Sequence, residues 1–85
     1  MLYLRRINKM NKARRKVIDT ILEILDGVRD QVENIHDQEE EALDNMPESL
    51  EGTDRYEALE ESVSNLDNAL DAVDQLIDSL ECAKG

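Results

Sequence analysis

The second half of the chain has an unbroken alternation of apolar positions. Steps of three and four residues separate Tyr56, Leu59, Val63, Leu66, Leu70, Val73, Ile77 and Leu80. An average spacing of 3.5 residues is typical of a helix that packs along a partner helix with slight supercoiling. The pattern predicts a helix over residues 54–83 with these residues as its packing seam.

The first half follows the same rhythm less cleanly. Its predicted seam consists of Ile18, Ile21, Leu25, Val28, Val32, Ile35, Ala42 and Met46. Glu39 occupies one seam position, and the register weakens when it is extended back through Arg14 and Asn11. We predict a first helix over residues 17–45, preceded by a basic arm over residues 1–16.

Residues 46–53 carry the backbone chemistry of a turn. Pro47 lacks an amide hydrogen and disfavours helix at the preceding residue, and Gly52 tolerates backbone angles that other residues avoid. Thr53 is a predicted helix N-cap. Two helices of about 45 Å joined by so short a linker predict an all-α fold, a coiled-coil-like antiparallel hairpin.

Further apolar residues flank both seams. They are Val17, Leu22, Ile24 and Leu43 in the first helix and Ala69, Leu76 and Ala83 in the second. Two helices alone would leave some of these in water, so we predict association into a four-helix-bundle dimer or a higher helical oligomer. The alternative is a monomer folded back on its basic arm.

The charge of −11 is unevenly distributed. Seven bases and no acid lie in residues 1–16, whereas residues 17–85 hold all twenty-one acids and only three bases. This acidic body should repel nucleic acid and anionic membranes and attract basic surfaces, so we predict a protein partner. The basic arm is expected to neutralise an acidic helix rather than recognise nucleic acid, since no aromatic residues interleave it.

Candidate chemistry is sparse, so we predict a protein that is not an enzyme and uses no cofactor or metal. One His, one Cys and few hydroxyl residues give no catalytic triad. His36, Glu39 and Glu40 are potential metal ligands, but a solvated charged face is the favoured interpretation. The single Cys82, the lack of a long apolar run and the lack of a signal-peptide pattern predict a cytoplasmic protein.

Acidic residues recur along one face of each predicted helix. The first face holds Asp19, Glu23, Asp26, Asp30, Glu33, Asp37, Glu40 and Asp44, and the second holds Glu57, Glu60, Asp67, Asp71, Asp74, Asp78 and Glu81. Carboxylates at these steps lie about 5–6 Å apart, comparable to phosphates along a nucleic-acid strand. Phosphate mimicry is therefore one hypothesis, and faces that simply favour solubility are the other.

The turn offers a second candidate surface, which we call the tip. It consists of Asn45, Pro47, Glu48, Leu50 and Arg55. A purely structural turn is one interpretation. A partner-binding tip is the other, because charged side chains would project around it.

The segment Asp44–Leu50, with the acidic run before it and Asn65–Leu70 after it, resembles small acidic helical proteins of bacteriophages and integrated mobile elements. The similarity covers about residues 10–83, and the basic stretch from Met10 to Lys16 resembles the start of such proteins. Residues 1–9 are then an upstream extension, with Met10 as an alternative start. Tyr56 departs from the Gly expected after Arg55.

The resemblance implies a protein that inhibits or modulates a host protein, such as one of a defence system, in the bacterial cytoplasm. One alternative is a nucleic-acid mimic that blocks the DNA or RNA channel of a defence effector such as a CRISPR nuclease. A second is a helical oligomer that sequesters a nucleotide signal.

Overall fold

A computed structural model describes residues 11–85 of the chain. Helix α1 spans Lys12–Asp44, a 3₁₀ turn spans Glu48–Leu50, and helix α2 spans Asp54–Lys84. Residues 11–85 contain no strand, so the prediction of an all-helical chain with two long helices joined as a hairpin is confirmed for this range. Arg5, Arg6, Lys9 and the possible start at Met10 lie outside it.

Helix α1 begins five residues before the predicted boundary. Asn11 is its N-cap, and the Asn11 side chain accepts a hydrogen bond from the Arg14 amide at 2.9 Å. Lys12, Arg15 and Lys16 are therefore helical and not part of a separate arm. Acidic residues usually mark the first turn of a helix, because bases are unfavourable at its positive end. The first turn of α1 has no acid, so the charge pattern did not predict a helix start here. The Asn11 cap stabilises this end by satisfying a free backbone amide.

The connection between the helices has the predicted chemistry. Gly52 has a φ of +83°, a conformation that side chains disfavour. Thr53 caps α2, since its hydroxyl accepts a hydrogen bond from the Tyr56 amide at 3.3 Å and donates one to the Leu50 carbonyl at 2.6 Å. The predicted N-cap is confirmed, and the turn is held by its own backbone and hydroxyl bonds.

The seam of α2 has the predicted register. All eight of its seam residues, from Tyr56 to Leu80, are half-buried. Within residues 11–85 only Ile18 is buried, at 8% exposure, because two helices side by side cover one stripe of each.

The seam of α1 differs from the predicted one. Ile18 is buried and Leu25 and Val32 are half-buried as expected, but Ile21, Val28 and Ile35 are 38%, 39% and 50% exposed. In their place, other residues of α1 are half-buried and face α2. They are Arg15, Leu22, Arg29, His36, Glu39 and Leu43. Relative to the predicted register, α1 is rotated so that Arg29 and His36 face acids of α2. As a result, three aliphatic side chains remain exposed.

Neither helix in residues 11–85 has a stretch apolar enough to cross a membrane.

Candidate interaction surfaces

The acidic residues of both helices form one continuous surface, which we call the acidic side. It comprises the fifteen carboxylates of the two predicted acidic faces, and all of them except Asp74 are exposed. On each helix this stripe borders the seam along one edge. Contacts across the seam show how the two stripes meet.

Three contacts between basic and acidic side chains connect α1 with α2 along this edge, and the one made by His36 is an ion pair when its imidazole is protonated. Arg29 Nε donates to Asp74 Oδ1 at 2.7 Å, His36 Nε2 lies 2.7 Å from Asp67 Oδ1, and Lys84 Nζ donates to Asp19 Oδ1 at 2.8 Å. In each pair an inward residue of one helix reaches an acidic-side residue of the other. The two acidic stripes therefore adjoin across the seam, and a single broad face carries both.

The Arg29–Asp74 pair is the best connected of the three. Arg29 also contacts Glu33 on its own helix at 3.4 Å. The hydrogen bond from Arg29 holds the pKa of Asp74 below its ordinary value, and the same bond raises the pKa of Arg29. Both residues remain charged at neutral pH, so the pair links the helices electrostatically. Its partial exposure limits its contribution to stability.

His36 is the only imidazole of the chain and lies against α2. Its side chain is 12% exposed, and its Nδ1 shares a hydrogen bond with Asp37 Oδ1 at 3.1 Å. The Nε2 contact to Asp67 is short but lacks hydrogen-bond geometry, so it acts through charge. The pKa of His36 is raised by the Asp37 hydrogen bond, against partial desolvation, with help from the charge of Asp67.

The same histidine belongs to the one cluster of potential metal ligands in residues 11–85. Ligand atoms of His36, Asp37 and Glu40 lie within 4.8 Å of one another. Glu39, which the sequence grouped with them, is turned into the seam. Asp37 and Glu40 are exposed, and exposed carboxylates gather on acidic helices without an ion. The cluster does not by itself indicate a metal site.

The tip residues Asn45, Pro47, Glu48, Leu50 and Arg55 are all exposed. Backbone bonds fix their positions: the Asn45 amide donates to the Glu41 carbonyl at 3.0 Å and the Leu50 amide to the Pro47 carbonyl at 2.9 Å. Beside the tip, the outer surface of α2 has an open depression of about 460 Å³ lined by Asp54, Glu57, Ala58 and Glu61. It is too open and too acidic to enclose an apolar ligand.

The described bases at the start of α1 lie near the other end of the hairpin. The Arg15 guanidinium approaches Gly85 at the C-terminal end of α2. A cation is favourable at this negative end of a helix. Arg15 is thus turned towards the same chain's second helix, as are Arg29 and His36.

The interhelical ion pairs are the feature that sequence reasoning missed. A usable signal was present: Arg29 and His36 are seven residues apart in α1, and Asp67 and Asp74 are seven apart in α2. Two bases and two acids at the same seven-residue spacing can meet when one helix packs along the other.

No family model, curated protein or solved structure matches this chain.

Proposed function

We propose that the chain is a non-catalytic interaction protein that binds a basic surface of another protein through its acidic side. The observation that carries this proposal is the sorting of charge: fifteen carboxylates adjoin on one face of the hairpin. Such a face attracts a basic partner at long range and raises the rate of association.

The scaffold of this function is an antiparallel hairpin that associates with copies of itself. Along α1 the cross-helix pairs advance from residue 19 to 29 to 36, while their partners on α2 run back from 84 to 74 to 67. This order supports antiparallel packing. The small number of buried side chains supports further association, since a single pair of helices covers little apolar surface.

The proposed setting is the cytoplasm of a bacterial host, where a phage or mobile-element protein would inhibit or modulate a host protein. The resemblance of Asp44–Leu50 and its flanks to small acidic phage proteins supports it. A defence protein that binds nucleic acid is a suitable target, because it offers the basic surface that the acidic side fits.

Capture of host proteins from a bacterial extract tests the acidic side. The test variant replaces Asp30, Asp71 and Asp78 with Asn, three exposed acids that make none of the cross-helix pairs. We expect the captured protein's affinity to fall about tenfold or more, and wild-type binding to weaken steeply with salt.

The matched control replaces Glu41, Glu51 and Glu61 with Gln, which removes the same charge away from the acidic side. Binding should change little. Equal loss in both variants would show that only net charge matters. Loss confined to a Pro47→Ala, Glu48→Ala variant would assign binding to the tip and overturn the proposal.

A second candidate function is mimicry of nucleic acid. Neighbouring carboxylates on each stripe are about 5–6 Å apart, and two stripes run side by side. Mimicry requires that double-stranded DNA or RNA displaces the captured protein from the chain. A complex that resists such competition would favour a basic surface outside the nucleic-acid channel.

A further inference from the structure

The side of the hairpin opposite the acidic side carries no charge between its end residues Arg14 and Arg55, which continue the α1 and α2 stripes described next. On α1 it consists of Val17, Ile21, Ile24, Val28, Gln31, Ile35, Gln38 and Ala42. On α2 it consists of Ala58, Ser62, Asn65, Ala69, Ala72, Leu76, Ser79 and Ala83. Each set alternates by three and four residues. Sixteen uncharged positions in a chain that is 36% charged are a strong departure from its composition. We call this surface the uncharged side.

The two uncharged stripes lie on the same face. On each helix the seam separates the acidic stripe from the uncharged stripe. The ion pairs Arg29–Asp74 and Lys84–Asp19 show that the acidic stripes adjoin across one edge of the seam. The uncharged stripes must therefore adjoin across its other edge.

Eleven of the sixteen positions are apolar, and the large side chains among them are open in a single chain. Val17 is 58% exposed, Ile24 60%, Ile35 50% and Leu76 46%. Aliphatic side chains spaced along about 39 Å of helix form a contiguous patch, which is uncommon on monomeric proteins. Their exposure calls for a covering surface.

We infer that a second copy of this chain covers the uncharged side, so that two hairpins stack face to face as a four-helix bundle. This inference rests on the self-association included in the proposed function and specifies the surface responsible. Three properties of the face favour a second copy over an unrelated partner.

The first property is area. A stripe about 39 Å long across two helices about 20 Å wide offers about 800 Å² per copy. Two copies would bury about 1,600 Å² in total, which is the size of a standard specific interface.

The second property is a complementarity of size between the two stripes. The α1 stripe carries bulky Val and Ile, whereas the α2 stripe is Ala, Ser and Asn except for Leu76. A two-fold axis along the hairpin places α1 of each copy over α2 of the other. Apart from Leu76, which then lies over Val28, large side chains face small ones, and the layers can interdigitate.

The third property is electrostatic. Stacking through the uncharged sides leaves the two acidic sides outermost, on opposite surfaces of the bundle. Any arrangement through the acidic sides would bring like charges together and be opposed by their repulsion. The same repulsion disfavours an anionic membrane surface as the occupant.

Solution mass of the full chain, by light scattering after size exclusion, is the first test. One chain has a mass of 9.7 kDa, and we expect twice that mass. Ile35→Asp should yield the monomer mass, because it places a carboxylate inside the interface. Asn34→Asp is the matched control, as it adds the same charge one residue away, outside the uncharged side, and should remain dimeric.

Cross-linking decides the arrangement and does not depend on the folding of the Ile35→Asp variant. Val28→Cys and Leu76→Cys are made separately in a Cys82→Ser background, mixed and oxidised. We expect disulfides mainly between the two different variants, since α1 of one copy lies over α2 of the other.

A monomeric wild-type chain, covered by its own residues 1–10 or left open, would overturn the inference. So would a dimer that Ile35→Asp leaves intact, or mixed disulfides no more frequent than identical ones. Partner capture is a separate measurement, so a monomer that still binds through its acidic side would overturn this inference and leave the proposed function standing.

Discussion

Helices α1 and α2 contribute opposite kinds of residue to the same seam. The α2 seam is aliphatic apart from Tyr56 and is half-buried throughout. The α1 seam includes Arg29, His36 and Glu39 between its aliphatic residues. One helix therefore supplies apolar area, and the other supplies part of that area together with basic residues that contact acids of α2.

The difference is one between contact area and charge pairing. Aliphatic seams attract each other at several alternative offsets, because one heptad is similar to the next. Arg29 and His36 add charge contacts with Asp74 and Asp67 at the observed offset. Glu60 and Glu81 continue the same seven-residue spacing on α2, so these charges strengthen the contact without singling out one offset. We therefore expect the two seams to respond differently to substitution.

The largest effect is expected in the α2 seam. Leu66→Asp places a carboxylate against α1 without a partner and should lower the free energy of unfolding by about 3 kcal/mol or more. The control Asn68→Asp adds the same charge on the outer surface of α2. Thermal melting followed by circular dichroism should show a lower melting temperature for Leu66→Asp only. Equal melting temperatures for the two variants would mean that the α2 seam is misassigned.

A smaller effect is expected from the polar part of the α1 seam. Urea unfolding of wild type, Arg29→Met, Asp74→Asn and the double variant measures the coupling of this pair. The coupling should be favourable but smaller than the loss caused by Leu66→Asp, because both side chains are partly exposed. Strictly additive effects of the two substitutions would show that the two side chains contribute no coupling energy.

The smallest effect is the pH dependence of His36. Its pKa is raised above the ordinary 6.5 in the folded chain, so its contribution is complete below that value and is lost as pH rises through the raised pKa. The stability difference between wild type and His36→Gln should thus be larger at pH 5.5 than at pH 9. The pKa of Asp74 is lowered, so this carboxylate becomes protonated only at a pH below this range. An unchanged difference across this range would contradict the assignment.

The fold was predictable because its signals are local. The turn is specified by the backbone angles of Pro47 and Gly52 and by the Thr53 cap. Helix α2 has a single strongly apolar stripe, so only one seam could be assigned to it. The tip residues and all acidic-side residues except Asp74 were predictable as exposed positions for the same reason. Amphipathic pattern and turn chemistry need no knowledge of the partner helix.

The register of α1 was not predictable by the same rule. This helix has two aliphatic stripes, and Ile21, Val28 and Ile35 are more apolar than the inward residues Arg29 and His36. Single-helix periodicity selects the more apolar stripe. The actual choice depends on carboxylates more than thirty residues away in α2, so it becomes visible only when the two helices are considered together.

The distance between two spin labels, measured by pulsed electron paramagnetic resonance, tests the hairpin most directly. Thr20→Cys provides one site and the exposed native Cys82 the other, with unlabelled chain added so that only distances within one molecule are measured. Because Asp19 and Lys84 pair at 2.8 Å, we expect a single distance of about 20–30 Å, set by helices about 10 Å apart. A distance of about 90 Å, the length of one continuous helix between these residues, would contradict the account.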